Sequence, residues 1–269
     1  MSLPLSAGRR SHRAWPETLH AEWTKLRTLA STGWLLAGAV ALTVAVSTMA
    51  VAAAAVAPGL DLAKLSLTGV QAGQAVAVIL AVLTISNEYS TGMIRVTLTA
   101  MPRRHTVLAA KAALAGGLVL AAGAVAVLAS VLAGRLILPG RGFTPANGYR
   151  LLSLGNGPDL RAACGSVLYL ALIALLSLGI ATAVRDSAVA IGTVLALLYL
   201  LPIAAAVVSN HHWQRHLEQI GPTTAGLDIQ GTVGVHALPL TPWQGLGVLA
   251  LWAVGALILG GLVLRFRDA

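Results

Sequence analysis

Charge is scarce in this sequence: Asp, Glu, Lys and Arg make up 10% of its 269 residues, against roughly a quarter in a soluble domain. That scarcity leaves no room for a large water-soluble domain. A single cysteine, Cys164, excludes an internal disulfide and leaves the redox compartment unreadable. It sits within an apolar block and reads as a small packing residue. No Gly-rich stretch ends in Gly-Lys-Ser or Gly-Lys-Thr, so the phosphate-cradling loop of ATP hydrolysis is missing. Buried Asp, Glu or His near mid-membrane, the usual mark of proton-driven transport, is also missing from the apolar blocks.

What the chain has in abundance is apolar sequence. Hydrophobic residues make up 57% of it, and mean hydropathy is +0.81. They gather into about six nearly uncharged blocks, near 34–57, 68–85, 106–133, 162–184, 188–209 and 243–264. A helix of about 20 apolar residues covers the roughly 30 Å hydrocarbon core of a bilayer. The expected fold is therefore an all-α polytopic membrane protein. Its parts are an amino-terminal segment over 1–33, one six-span domain over 34–264 and a tail over 265–269. The amino terminus is too long, polar and Arg-rich before its first apolar run to resemble a signal peptide, so span one is expected to be retained.

Lys and Arg set the expected orientation. With both termini inside, twelve basic residues fall on the cytoplasmic side and six outside, which is the positive-inside pattern. The pI of 10.8 and net charge of +9 are read the same way, as orientation and headgroup contact rather than nucleic-acid binding. The stretch from Gly134 to Arg161 holds four outside arginines together with several Gly and Pro residues, so it is expected to be irregular and solvent-facing. Arg185-Asp186-Ser187 is expected to form a tight helical hairpin.

Three polar segments exceed the needs of a membrane anchor. Before span one, Pro16 and Glu17 suit a helix start, and Trp15, Leu19, Trp23, Leu26 and Leu29 share one face at 100° per residue. This pattern predicts an interfacial helix on the inner membrane surface. Glu22 falls within its apolar face, either meeting a basic or hydrogen-bonding group of the bundle or turning aside into headgroups. Between spans two and three, Ile94, Leu98 and Met101 form an apolar stripe on a short helix that Pro102 ends. Arg95 stands beside the stripe, with Arg103 and Arg104 beyond it. Glu88 at the inner end of span two faces Lys111 in span three across a candidate ion pair; the alternative has Lys111 snorkelling to the interface. Between spans five and six, apolar residues mixed with Gly and Pro predict short helices packed against the spans. His211, His212 and His216 lie there without cysteine and read as solvated side chains rather than metal ligands. Gln71 and Gln74, near the outer end of span two, suit either hydrogen bonding along a path or helix packing.

Several strings occur in a telling order. They are His20-Ala-Glu-Trp-Thr-Lys-Leu-Arg27, Asn87-Glu-Tyr-Ser-Thr-Gly-Met-Ile-Arg95 running on to Pro102-Arg-Arg104 and Lys111, then Pro222-Thr-Thr-Ala-Gly226, Leu240-Thr-Pro-Trp243 and the closing Arg267-Asp-Ala269. Together they resemble the membrane permease subunits of type-two ABC exporters, especially the small ones of high-GC Gram-positive bacteria. The resemblance covers nearly the whole chain. It implies that Glu88, Gly92, Ile94, Arg95, Leu98, Pro102, Arg103 and Arg104 belong to a coupling helix seated in a separate ATPase subunit. The helix around Glu22 would lie near that ATPase too. It further implies two ATPases and two permeases, the second a copy or a paralogue, in a bacterial plasma membrane. ATP and magnesium would be used by the partner, with no cofactor on this chain, and the substrate would be apolar or amphipathic.

Rival classes are less well served. Ser166 follows Cys164-Gly165, but no histidine lies in another span to act as its base, so an intramembrane enzyme lacks its constellation. A secondary transporter would call for repeats or a midplane site, and the spans show no convincing self-similarity. A regulatory subunit would keep the same fold.

Overall fold

A polypeptide in hydrocarbon must pair its own backbone groups, and the closed hydrogen-bond ladder of a helix does so within one segment. The computed structural model describes residues 30–90 and 104–266, together with Thr24. Helices dominate these residues and no strand occurs among them. The long helices are α1 (Ala30–Ala53), α3 (Val70–Ser90), α4 (Arg104–Ile137) and α5 (Gly157–Val184). The fifth span is built from α6 (Ser187–Leu195), a π turn (Ala196–Leu200) and α7 (Leu201–Val207), and the sixth is α10 (Pro242–Phe266). A short α2 (Leu62–Ser66) precedes α3, while α8 (His211–Ile220) and α9 (Pro222–Leu227) lie between spans five and six.

Six of these segments are long and apolar enough to cross a membrane, from Ser31–Ala53 to Pro242–Phe266, so the chain is a multi-pass membrane protein of the all-α class. Successive spans alternate in direction. Residues 54–69, 138–156 and 208–241 therefore gather at one end of the bundle, called here the loop end. Residue 30, the ends of α3 and α4, and the 185–186 turn gather at the other, the terminal end. The expected interfacial helix (Trp15, Leu19, Glu22, Trp23 and Leu26) lies outside the described residues, as do Gly92, Ile94, Arg95, Leu98, Pro102 and Arg103.

Several span hydroxyls are absorbed by the helices themselves. Thr43, Thr84, Ser177, Thr182 and Thr193 each donate to the carbonyl four residues earlier, at 2.6–2.8 Å. Such back-bonding lets Ser and Thr sit in an apolar span without an exposed donor. The π turn has a local cause. Pro202 offers no N–H to Leu198 and its ring crowds that carbonyl, so the ladder widens just before it.

Span four is central. Buried residues make up 61% of its most apolar window and 56% of that of span two, against 17% in span one, and α5 packs on α10, α4 and α3. A close backbone seam joins α5 to α10. A Cβ on Gly179 would lie 2.4 Å from the Ala256 carbonyl carbon, and one on Gly260 would lie 2.7 Å from the Gly179 oxygen. Small residues that bring helix backbones together replace the hydrophobic drive that lipid cannot supply.

The span-four turn is as tight as expected. Arg185 takes the left-handed conformation (φ 65°) that ends α5, and the Asp186 carboxylate accepts the Val189 N–H at 2.8 Å to cap α6. The stretch from 134 to 161 is irregular and largely solvent-facing over 138–156, as expected, but departs from that expectation at its ends and at three buried side chains. Helix α4 runs on to Ile137 and α5 begins at Gly157. The segment between them folds back on the bundle, burying Leu138, Phe143 and Leu152. Its Gly and Pro residues turn the backbone in two 3-10 turns, while these three side chains supply the apolar anchor. Cys164 also departs from its reading as a packing residue, since it is exposed on α5.

The α5–α10 seam generates a direct test. Gly179→Ala should lower the thermal midpoint of the detergent-solubilised protein by the equivalent of about 1–3 kcal/mol, the usual cost of overpacking. Gly255→Ala on α10, where a Cβ meets nothing within 4 Å, should leave the midpoint unchanged or raise it. Equal effects from the two would contradict the seam.

Candidate functional site

At the loop end, irregular backbone is held by charged side chains. Asp61 caps α2 through the Lys64 N–H at 3.1 Å and reaches across to the span five–six connection. There its carboxylate accepts the Thr232 hydroxyl at 2.7 Å, the Val233 N–H at 2.9 Å and the Thr232 N–H. One carboxylate thus satisfies backbone donors from two loops. Arg161, at the start of α5, donates to the Gly231 carbonyl next door. Asp159, 6% exposed, is paired with Arg150 at 3.0 Å and accepts the Ser153 N–H at 3.0 Å.

Around these groups opens a cleft of about 680 Å³. Its walls combine Leu60, Leu62, Leu152 and Val233 with the polar Arg150 and Asp159. The mixture suits a solute that is part apolar and part polar. Arg150 and Arg161, counted in the sequence as loop arginines, are therefore tied to protein partners here.

Deeper in the bundle, α9 packs against Tyr169, whose ring would lie 2.8 Å from a Cβ on Gly226. The Tyr169 hydroxyl donates to Gln74 Oε1, and the Gln230 amide donates to the Ser166 hydroxyl at 2.9 Å. Gln74 is fully buried, so it packs helix against helix. Its neighbour Gln71 is exposed, and the Gln71 carbonyl accepts from the Tyr199 hydroxyl. The two glutamines do not share one environment. Ser166 is buried and its hydroxyl donates to the Ala162 carbonyl, which leaves it engaged on both sides. Asp61, Tyr169 and Gln230 carry much of this network and were not singled out from the sequence; their long-range partners lie 64 to 172 residues away and left no local pattern.

At the terminal end, Lys111 is 1% exposed, two turns into α4, and its Nζ donates to the Thr84 carbonyl at 3.3 Å. It does not snorkel. Its ammonium points at span two one turn before Glu88, whose side chain lies outside the described residues, as does that of Arg104. Arg185 lies over the Tyr89 ring at 5.6 Å and donates to the Val263 carbonyl at 3.4 Å. Two cations therefore bind the ends of α3, α4, α5 and α10 together where the 91–103 segment leaves and returns.

His212 and His216 stand edge to face on α8, with ring centroids 4.4 Å apart, and no group of three metal-ligating side chains occurs among the described residues. No protein-family model matches the chain, and no curated protein matches it.

Asp228, beside α10, is pushed up from 3.8 to about 6, mainly by burial; Glu218 adds to the shift, while Lys64 and the Leu240 amide oppose it. With the folded value above the unfolded one, the native state holds more protons between pH 3.8 and 6, so stability falls as pH rises through that window. Asp228→Asn should raise the thermal midpoint at pH 7.5, with the gain roughly halved at pH 5. A gain independent of pH would contradict the burial of this carboxylate.

Proposed function

We propose that the chain is the transmembrane permease subunit of an ATP-driven ABC exporter. A separate ATPase subunit hydrolyses ATP with magnesium, and this chain converts its motion into export of an apolar or amphipathic substrate. The observation that carries the reading is the ordered set of strings, above all Asn87 to Arg104 and Pro222 to Gly226, on a six-span chain with no nucleotide-binding loop of its own. The family likeness supplies the roles. Residues Glu88, Gly92, Ile94, Arg95, Leu98, Pro102, Arg103 and Arg104 form the ATPase-coupling region, and the helix bearing Glu22 lies beside it.

The terminal end supports this reading in physical terms. A segment that transmits force needs firm ends, and Lys111 and Arg185 fasten the helices that flank it. In this proposal the terminal end is cytoplasmic, in a bacterial plasma membrane, in keeping with twelve basic residues against six. Two such permeases, identical or paralogous, stand with two ATPases, and the loop-end cleft faces outward.

The test is a mild-detergent pull-down of the tagged chain from its native cells, with mass spectrometry of what comes with it. An ATPase should be recovered with the wild type and lost with Arg95→Glu, while the variant still elutes as a folded protein. Recovery of no ATPase under several crosslinking conditions would overturn the proposal and favour a secondary transporter or an orphan subunit.

A further inference from the structure

The loop-end cleft stands where hydrocarbon gives way to water. Its lining residues between Val56 and Ala63 follow the end of α1 at Ala53, and Asp159 lies in the first turn of α5. Contacts between the connections fix its walls against one another. The Tyr149 hydroxyl donates to the Ala57 carbonyl at 2.7 Å, and the Tyr149 ring meets buried Phe143 edge to face with centroids 5.0 Å apart. Asp61 holds Thr232 and Val233 on the third side. A cleft shaped by the fold in advance loses less freedom when a ligand enters it. Its volume of about 680 Å³ is that of a small-molecule site.

The polar groups of this cleft are unequally satisfied. Asp159 Oδ1 accepts from Arg150 at 3.0 Å, while Oδ2 accepts the Ser153 N–H at 3.0 Å and the Asn156 side-chain amide at 3.5 Å. The Asn147 amide and the Thr232 hydroxyl already donate to Gly142 and Asp61. Arg150 is different. Its side chain is 57% exposed, and Asp159 is the single partner of its guanidinium among the described residues. A guanidinium has five N–H donors in a rigid fork, so the buried carboxylate fixes one edge and the other stays open. A cation entering the cleft finds its carboxylate engaged on both oxygens, whereas an anion finds positioned donors. Leu60, Leu62, Leu152 and Val233 supply apolar wall in the same cleft.

We infer that the cleft binds an anionic amphiphile, with a carboxylate or phosphate head on the open edge of Arg150 and an aliphatic part against Leu60, Leu62, Leu152 and Val233. That such a compound is the exported substrate rests on the permease reading; its binding here does not.

The experiment uses the full chain in phosphatidylcholine nanodiscs, titrated calorimetrically with octyl phosphate or octyltrimethylammonium, with the heat of empty nanodiscs subtracted. Each variant is first shown to elute as a folded protein. Octyl phosphate should bind saturably and octyltrimethylammonium should not. Arg150→Gln should weaken octyl phosphate about tenfold or more, the loss of a charged hydrogen-bonding partner. That substitution also leaves Asp159 unpaired, so a second pair of variants keeps the ion pair. Val233→Glu, at a position 53% exposed, sets a like charge on the cleft wall and should weaken octyl phosphate about as much as Arg150→Gln, whereas Val233→Lys should leave its affinity equal or tighter. Saturable binding of both octyl compounds, of neither, or of the cation alone would overturn the inference. Wild-type affinity for octyl phosphate in either Arg150→Gln or Val233→Glu would overturn it too. Native mass spectrometry of the chain extracted from its membrane then assigns the source of the head group. An anionic lipid retained by the wild type and lost from Val233→Glu supports a lipid head group; saturable octyl phosphate binding with no retained anionic lipid supports a free solute. None of these measurements needs an ATPase, so a failed pull-down and a failed titration are distinct results.

Discussion

The need to pair every backbone polar group without water shapes this molecule more than any other constraint. It makes the six spans helices, and it sends span hydroxyls such as Thr43 and Ser177 back to their own helix carbonyls. Where the backbone is not helical, charged side chains take over the pairing. Asp61 does so for the donors of Thr232 and Val233, and Arg161 for the Gly231 carbonyl. Removing water also removes the hydrophobic drive between helices. The close approach at Gly179 and Gly260 supplies van der Waals contact in its place, and that seam sets the distance between α5 and α10 against which α9 and Asp228 are packed.

The two ends of the bundle use polar residues differently. At the terminal end, Lys111 and Arg185 bridge helix ends with few intervening residues. At the loop end, long-range bonds to Asp61, Arg161 and Ser166 tie an irregular segment to the bundle. In the proposed permease, force would arrive at the firm base and solute at the folded-in loop region.

The spans were legible in the sequence because length and hydropathy alone decide what can cross a bilayer. Their ends were less so. The expected start of span four at 162 missed the turn that Gly157 and Pro158 begin, because Asp159 and Arg161 read as loop charges; in the fold each has a polar partner. Gly and Pro between 134 and 161 correctly signalled turning, but turning says nothing about burial, and Phe143 and Leu152 were too isolated to announce a buried anchor. The polar interior around Gln74 was half legible: Gln74 stood out, whereas Tyr169 is one more residue in an apolar run until the fold sets it opposite. Burial of Lys111 was open in sequence because pairing and snorkelling share the same composition; the orientation of its ammonium toward Thr84 decides against snorkelling.

The most direct test of six alternating crossings is the sidedness of the connections. Reporter fusions that are active only inside or only outside the membrane would be placed after Asn147, Asp186, Gly234 and Ala269. The account predicts that 147 and 234 report one side and that 186 and 269 report the other. If 147 and 269 fell on the same side, the number of crossings would be wrong and the division into a loop end and a terminal end would not stand.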